Sequence, residues 1–202
     1  MKKKIVLIDY DVGNTGSLCQ FFKKLGNSCV VSNSREIISN ADVVVLPGVG
    51  AFPEAMFHLK NLYLIDIIKE LADCGKPILG ICLGMQLLFD SSNELFETKG
   101  LGIIPGRVTE IGKPKWHIGW NSIHRVSEDG VGRLVSGQQV FFNHSYQVIC
   151  DQQYIRAVAC HETDIVSVVQ KKNIIGFQFH PEKSQTVGLE LVKKSLETFA
   201  HA

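Results

Sequence analysis

The first half of the sequence alternates short, continuous apolar runs with segments whose apolar residues recur at helical spacing. The apolar runs predict buried strands at Lys4–Ile8, Ser28–Val31, Ala41–Leu46 and Pro77–Ile81. The helical spacing predicts helices around Leu18–Leu25, Leu62–Ala72 and Leu83–Phe89. Because parallel strands must be joined by crossovers, this alternation predicts a parallel sheet with right-handed crossover connections.

The second half changes to short β-rich runs that are separated by turn residues. Strands are predicted at Gly106–Ile111, Trp120–Val126, Gln139–Phe142, Ser145–Ile149, Ile155–Ala159, Ile165–Gln170 and Ile174–His180, and a closing helix at Thr186–Phe199. These strands are expected to be antiparallel and to pack onto the parallel core. No linker, repeat or low-complexity segment interrupts the sequence, so residues 1–202 are predicted to form one domain. The expected fold is α/β and flavodoxin-like: a mostly parallel sheet flanked by helices, with additional antiparallel strands.

The composition narrows the possible functions. The chain of 202 residues is 45% hydrophobic with a formal net charge of +1, which excludes a disordered chain and argues against a nucleic-acid partner. The apolar run after Lys4 is too short for a signal peptide, and no segment is long enough to span a bilayer. Six scattered cysteines without a Cys-x-x-Cys pair predict free thiols, a cytoplasmic location and no metal site. No organic cofactor and no membrane partner are expected.

The segment Gly80-Ile81-Cys82-Leu83-Gly84 stands where a predicted strand ends and a predicted helix begins. It has the form Gly-x-nucleophile-x-Gly of a nucleophile elbow, with cysteine in place of serine. Glycine suits this turn because neighbouring Cβ atoms would not fit, and the N-terminus of a helix favours a thiolate. The simpler interpretation is a tight turn around a buried structural cysteine.

A nucleophilic cysteine needs a base, and the base needs a group that orients it. The run His180-Pro181-Glu182 offers both at the end of a predicted strand, where sites of parallel sheets are usually built. Proline fixes the backbone between the two side chains. A lone histidine is more often structural, and that interpretation is kept for the other six: His58, His117, His124, His144, His161 and His201.

The loop Pro47-Gly48-Val49-Gly50 follows the third predicted strand directly. Its glycines allow backbone N–H groups to turn toward a developing oxyanion. A dinucleotide-binding loop is less well supported, because Pro53 occupies the place of the third glycine and the loop is not the first βα turn.

Taken together, the segments Gly80–Gln86 and His180–Glu182 resemble those of class I, triad-type glutamine amidotransferases. Within that family, further segments are similar to those of glutaminase subunits of imidazole glycerol phosphate synthases, and this resemblance covers essentially the whole chain. The further segments are Pro47–Phe52, His117–Asn121, His144–Tyr146 and His180–Ser184. Three positions depart from the pattern of these subunits: Asp11 replaces a usual glycine, Trp116 a proline, and Asn143 a frequent valine.

The resemblance implies a reaction and a set of site residues. Cys82 would attack the side-chain amide of glutamine, while His180, oriented by Glu182, moves the protons. Backbone N–H groups of Gly50 and Leu83 would form the oxyanion hole. The substrate-binding residues would be Gly48, Gln86, Glu94, His144, Ser145 and Tyr146.

The resemblance also implies a partner. The ammonia would pass to a (βα)8-barrel cyclase subunit, which makes imidazole glycerol phosphate and an aminoimidazole carboxamide ribonucleotide in histidine biosynthesis. Trp120, Asn121 and Lys183 would lie near the subunit interface. The alternatives are a paralogous subunit that supplies a different synthase, such as one that modifies surface sugars, a free-standing γ-glutamyl hydrolase, and a non-catalytic binding module.

Overall fold

A computed structural model describes residues 2–11, 13–134 and 137–199 of the chain. The α-helices are α1 (Thr15–Lys24), α2 (Arg35–Ser39), α3 (Phe52–Asn61), α4 (Leu64–Asp73), α5 (Leu83–Gln86) and α6 (Gln185–Thr198). The strands are β1 (Lys4–Ile8), β2 (Ser28–Ser32), β3 (Val43–Leu46), β4 (Ile78–Ile81), β5 (Ser91–Ser92), β6 (Thr98–Lys99), β7 (Gly106–Glu110), β8 (His117–Arg125), β9 (Gln139–His144), β10 (Tyr146–Cys150), β11 (Ile155–Cys160), β12 (Asp164–Lys171) and β13 (Ile174–Phe177). Short 3₁₀-helices lie at Gly130–Leu134, Gln152–Tyr154 and Pro181–Lys183.

The main sheet has nine strands in the order β2-β1-β3-β4-β13-β12-β11-β8-β9. Its first five strands are parallel, and the alternation of strands and helices predicts four of them. The fifth, β13, was expected to be antiparallel, but it pairs in parallel with β4 and antiparallel with β12, so it joins the two parts of the sheet. The residues of β1 alternate between two buried faces. Val6 and Ile8 pack with α3 and α4, whereas Ile5 and Leu7 pack with α1 and α6. Burial on both faces explains why the strands inside this sheet are continuous apolar runs, whereas the edge strand β2 exposes Val30 and Val31.

Four strands of the second half are antiparallel to their neighbours and extend the same sheet edge to edge: β12, β11, β8 and β9. This arrangement differs from the expected packing of antiparallel strands onto the core. A separate sheet, in the order β10-β7-β5-β6, includes the segment Tyr146–Cys150, which continues directly from β9. The chain therefore changes sheets at Ser145, close to the carboxyl ends of the central parallel strands. The predicted fold class is confirmed.

The helix after Cys82 is one turn long and ends at Gln86, whereas the sequence predicts it to continue to Phe89. The physical reason is that the chain tightens after Gln86, where the N–H groups of Leu88 and Phe89 donate to carbonyls three residues back. The carbonyls of Leu87 and Leu88 then accept from backbone N–H groups of the segment 101–104 at 2.9 Å each and not from a further helical turn. The helices α2 and α3 were not predicted. Among the described residues, no helix combines the length and apolar character needed to cross a bilayer.

Candidate active site

Cys82 lies at the carboxyl end of β4, in the turn that leads into α5. Its backbone has a φ of +53°, a conformation that residues other than glycine rarely adopt. The N–H of Cys82 donates to the carbonyl of Phe177 at 2.7 Å, which ties the turn to the neighbouring strand β13. The side chain is 5% exposed. Backbone strain of this kind, about 1–3 kcal/mol, persists where the surrounding structure holds it, and often at functional sites.

Two glycines allow this turn to form. A Cβ atom added at Gly84 would overlap the carbonyl oxygen of Leu46, at the end of β3. A Cβ atom added at Gly80 would lie 2.7 Å from the carbonyl oxygen of Gly84. Because the obstructing atoms belong to the backbone, neither site has room for a side chain. The predicted Gly-x-Cys-x-Gly pattern thus has a steric cause.

His180 and Glu182 follow β13, which is the parallel neighbour of β4. The two strands therefore bring this segment to the same edge of the sheet as Cys82. His180 Nδ1 donates to Glu182 Oε1 at 2.9 Å, and the side chains are only 3% and 6% exposed. The other ring nitrogen, Nε2, is buried and forms no hydrogen bond of good geometry within the described part of the chain.

The electrostatics of His180 depend on its two neighbours. Burial disfavours the charged ring, but interactions with Cys82 and Glu182 outweigh burial and raise the pKa of His180 to about 10. The ring is therefore protonated at neutral pH, beside the sulfur of Cys82.

The loop Pro47–Gly50 leaves β3 beside the elbow. Gly50 has a φ of +109°, which glycine adopts without strain. The hydroxyl of Tyr10 donates to the carbonyl of Pro47, and Tyr10 is fully buried. Gly48 packs behind the elbow, since a Cβ atom there would lie 2.8 Å from the Cβ of Leu83.

A cavity of about 290 Å³ opens beside Cys82. Its size is at the lower end of the ~300–1,000 Å³ range of ligand pockets, which suits a single amino acid. The lining residues are Val49, Gly50, Cys82, Leu83, Gln86, Glu94, Asn143, His144, Ser145 and Tyr146. The structure thus brings together every predicted oxyanion and substrate-binding residue except Gly48, which does not line the cavity.

Glu94 reaches the cavity from the segment after α5. Its Oε2 accepts from the backbone N–H of Phe52 at 2.9 Å, at the first residue of α3. Burial raises the pKa of Glu94, and the hydrogen bond from Phe52 opposes that change. The carboxylate is therefore anchored next to the glycine loop.

A larger cleft, of about 670 Å³, lies at the opposite edge of the sheet. It is lined by Lys69, Asp73, Lys171, Asn173 and residues around them, at the amino ends of β4 and β13. None of the predicted site residues lies there. The smaller cavity is the better candidate site, because it contains a strained cysteine, the glycine loop and the carboxyl ends of parallel strands.

Comparison with known proteins identifies the family. The sequence model of the family glutamine amidotransferase class-I matches residues 6–198 of this chain. The chain belongs to the class I glutamine amidotransferases.

Two curated relatives of this amidotransferase are both named imidazole glycerol phosphate synthase subunit HisH. The relative from Listeria monocytogenes serotype 4b is 45% identical over 195 residues, covering 94% of this chain and 93% of its own length. The relative from Lactococcus lactis is 45% identical over 199 residues, with coverage of 96% and 98%. Among solved structures, PurLQS from Thermotoga maritima matches all of this chain with a TM-score of 0.77 and 17% identity, which shows the same fold.

The three residues that the resemblance assigns to the interface lie around β8 and the segment that follows His180 in this amidotransferase. Trp120 is 47% exposed and packs edge-on against Phe141, over whose ring Lys183 places its Nζ at 5.6 Å. Asn121 uses its side chain within the chain, donating to the carbonyl of Cys160 at 2.8 Å and bonding to the ring of His117.

The three departures from the pattern of related subunits occupy definable positions. Asp11 has a φ of +62°, so it keeps a conformation that the usual glycine adopts easily and that aspartate tolerates. Asn143 lines the cavity, and its carbonyl lies 3.9 Å from the sulfur of Cys82. Trp116 is 57% exposed and accepts a hydrogen bond at its carbonyl from the ring of His161.

Two buried residues of the site were not predicted as functional. Gln178 is fully buried, bonds to Gln86 at 3.1 Å and directs its Nε2 toward the sulfur of Cys82 at 3.9 Å. His117 bonds to His144 across the β8–β9 pair. For Gln178, the available signal was a polar residue inside the apolar run Ile174–Phe179.

Proposed function

We propose that this chain is the glutaminase subunit of imidazole glycerol phosphate synthase. It hydrolyses glutamine to glutamate and ammonia, and it supplies the ammonia to a (βα)8-barrel cyclase subunit in histidine biosynthesis. The observation that carries this proposal is that Cys82, in the cavity wall, lies beside the hydrogen-bonded pair His180 and Glu182, in a chain similar over almost its full length to HisH subunits.

Cys82 is the nucleophile of the proposed reaction. Its sulfur attacks the side-chain amide carbon of glutamine, and His180 donates a proton to the departing ammonia. His180 then accepts a proton from water, which attacks the γ-glutamyl thioester and releases glutamate and the free thiol. Glu182 holds the ring through Nδ1, so that Nε2 remains available for both proton transfers.

The backbone N–H groups of Gly50 and Leu83 are the proposed oxyanion donors. Both residues line the cavity next to Cys82, which supports this role. Donors of this kind contribute about 3–4 kcal/mol each to the transition state of acyl transfer. Gln86, Glu94 and the segment His144–Tyr146 form the proposed binding site for the glutamine backbone, as residues of the cavity wall. Gly48 contributes by supporting the elbow from behind.

The cyclase is proposed to bind an apolar surface next to the cavity. On β8, the outward-facing residues Ile118 and Trp120 are 62% and 47% exposed, and Trp116 continues the same face at 57%. Lys183 borders this surface beside Phe141. Large exposed aromatic residues are frequent anchors of protein interfaces. An ammonia-consuming partner at this position would receive the product close to where it forms.

The same proposal includes the single amidotransferase domain of residues 1–202 and a cytoplasmic location. The family match over residues 6–198 and the sheet that unites strands of both halves support one domain. All six cysteines are free, which agrees with a reducing compartment.

Glutamate release tests the proposal. The purified chain is assayed with glutamine alone and together with a histidine-pathway cyclase and its nucleotide ligand, in parallel with Cys82→Ala. We expect strong stimulation by the liganded cyclase and no turnover in the variant.

Turnover that no cyclase changes would favour a free-standing hydrolase. A Cys82 that reacts with a glutamine analogue but gains nothing from this cyclase would indicate a different synthase. Failure to complement a strain that lacks the histidine-pathway subunit would lead to the same conclusion.

A further inference from the structure

The orientation of His144 follows from one backbone carbonyl. His144 Nδ1 lies 2.8 Å from the carbonyl oxygen of Tyr146, and a carbonyl can only accept. The hydrogen must therefore be on Nδ1, so in the neutral ring Nε2 is an acceptor. His117 Nδ1 lies 3.1 Å from that atom and must donate to it. The two histidines are opposite each other in the β8–β9 pair.

The same reasoning extends to Asn121. Once His117 carries its hydrogen on Nδ1, its Nε2 accepts from Asn121 Nδ2 at 3.0 Å. The second hydrogen of Asn121 Nδ2 goes to the carbonyl of Cys160 at 2.8 Å, and Asn121 Oδ1 accepts from the N–H of Ser122 at 2.7 Å. The chain of hydrogen bonds therefore has one direction, from Asn121 through His117 and His144 to the Tyr146 carbonyl.

This arrangement requires neutral rings, and their environment provides them. Burial lowers the pKa of His117 to about 4, and the neighbouring His161 acts in the same direction. Burial likewise lowers the pKa of His144 to about 3, with His117, His180 and His161 contributing and the bond to Tyr146 opposing. Packing holds the His117 ring in place, because Phe142 and His161 both stack on it, with centroids at 4.1 Å and 5.0 Å.

The Tyr146 carbonyl also links this series of hydrogen bonds to the cavity wall. It accepts a second hydrogen bond from Gln86 Nε2 at 2.9 Å. The other hydrogen of that nitrogen goes to Gln178 Oε1 at 3.1 Å, and the amide of Gln178 is thereby oriented with its Nε2 toward Cys82. A displaced Tyr146 carbonyl would therefore also release Gln86, a residue of the cavity wall.

We propose that His117 is a positioning residue for glutamine binding: it fixes the tautomer of His144 and thereby holds the Tyr146 carbonyl and Gln86 in the geometry of the binding cavity. His117 itself does not line the cavity and acts only through His144. The inference rests on the proposed glutaminase function and extends it to a specific pair of hydrogen bonds.

Two isosteric variants separate the hydrogen bond from the packing of the ring. His117→Asn keeps a donor near the position of Nδ1, whereas His117→Gln keeps a polar group near Nε2 and loses the donor to His144. The exposed His124 on the same strand provides the matched control His124→Asn. Glutamine hydrolysis is measured in the complex with the liganded cyclase.

We expect His117→Gln to raise the KM for glutamine about tenfold, because a buried acceptor on His144 loses its donor. The value of kcat should change less than KM, and alkylation of Cys82 by iodoacetamide should keep its rate, since His180 and Glu182 are untouched. His117→Asn should recover most of the loss, and His124→Asn should have the wild-type KM. A purely structural role would instead lower kcat and the alkylation rate together in both His117 variants.

Equal KM values in His117→Gln and the wild type would overturn this inference but not the proposed function. An equal rise in KM in the two His117 variants would do the same. A wild-type chain that shows no glutamine turnover with any synthase would overturn the proposed function, and this inference with it. The tautomer provides a test that needs no variant to fold. A ¹⁵N spectrum of the wild-type protein should show His144 protonated at Nδ1. Protonation at Nε2 alone would refute the proposed series of hydrogen bonds.

Discussion

The two halves of the chain contribute two walls of one cavity by different means. The parallel half contributes backbone geometry: a strained cysteine and glycines that leave no space for an added Cβ atom. The antiparallel half contributes side-chain hydrogen bonds, from Asn121 and His117 to His144 and the Tyr146 carbonyl. We expect the first wall to be disrupted by added side-chain atoms, and the second by the removal of a hydrogen-bond donor or acceptor.

The side chains of β8 alternate between two faces of the sheet, so this strand contributes both to the cavity and to the proposed docking surface. His117 and Asn121 face inward and support the cavity, whereas Ile118 and Trp120 face outward between them. A single strand thus connects the candidate cavity with the proposed docking surface. The central parallel strands β3, β4 and β13 offer no exposed face, because their residues are buried on both sides of the sheet.

The largest effect is expected for Gly84→Ala in the parallel wall. The added methyl group would overlap the carbonyl of Leu46, so the turn or β3 must move. We expect the free energy of unfolding to fall by about 3 kcal/mol or more. Urea unfolding measures it, with Gly16→Ala as the matched control, because nothing lies within 4 Å of a Cβ atom there. Equal stability of the two variants would refute the steric account of the elbow.

The next largest effect is expected for Glu182→Gln, which leaves the backbone of the parallel wall unchanged. The amide still accepts from His180 Nδ1, but it no longer stabilises the charged ring, so the pKa of His180 should fall from its raised value. We expect kcat to drop about 10²-fold or more, which is typical for loss of an oriented acid–base group. Steady-state kinetics in the complex measure it. A kcat within twofold of the wild type would remove Glu182 from the proposed triad.

A smaller effect is expected for Trp120→Ala on the outward face of β8. Loss of an aromatic anchor typically costs about 2 kcal/mol of binding, so the Kd for the cyclase should rise about 30-fold. Titration of labelled cyclase measures the Kd. Tyr63→Ala is the control, because Tyr63 is an aromatic residue that is 80% exposed at the start of α4. The same Kd in both variants would place the docking surface elsewhere.

The smallest effect concerns pH, to which the stability contributions of His117 and His180 respond with opposite sign. His117 has a pKa of about 4 in the folded chain against an ordinary value of 6.5, so the unfolded chain binds more protons between these values. The contribution of neutral His117 to stability is therefore present above pH 6.5 and is lost as the pH falls toward 4. His180 behaves in the opposite way: its contribution is present below 6.5 and is lost as the pH rises toward 10.

His117→Asn isolates the acid response. The difference in free energy of unfolding between wild type and variant should be smaller at about pH 4.5 than at about pH 7. Urea titrations at both values measure it, with His124→Asn as the control for an exposed ring. A difference that does not depend on pH would mean that His117 titrates normally in the folded chain.

Much of the site follows from local sequence because its reactive part is built on single turns. The pattern Gly80-x-Cys82-x-Gly84 is a local steric requirement, and His180-Pro181-Glu182 places a ring and its carboxylate two positions apart. Continuous apolar runs indicate the buried parallel strands β1, β3, β4 and β13, because burial on both faces removes polar residues from them. These features needed no knowledge of distant contacts.

The tertiary structure decided whatever depends on groups that are distant in sequence. After α5 the carbonyls of Leu87 and Leu88 bond to the distant segment 101–104 and not to a further helical turn. Gly48 does not line the cavity, because it packs against Leu83 and Gly84 of the elbow. His117 and His144 are separated by 27 positions, and only the register of β8 with β9 sets them opposite each other. The sequence by itself thus determined the reacting groups through local geometry. The supporting hydrogen bonds, by contrast, required the strand pairing that only the folded chain creates.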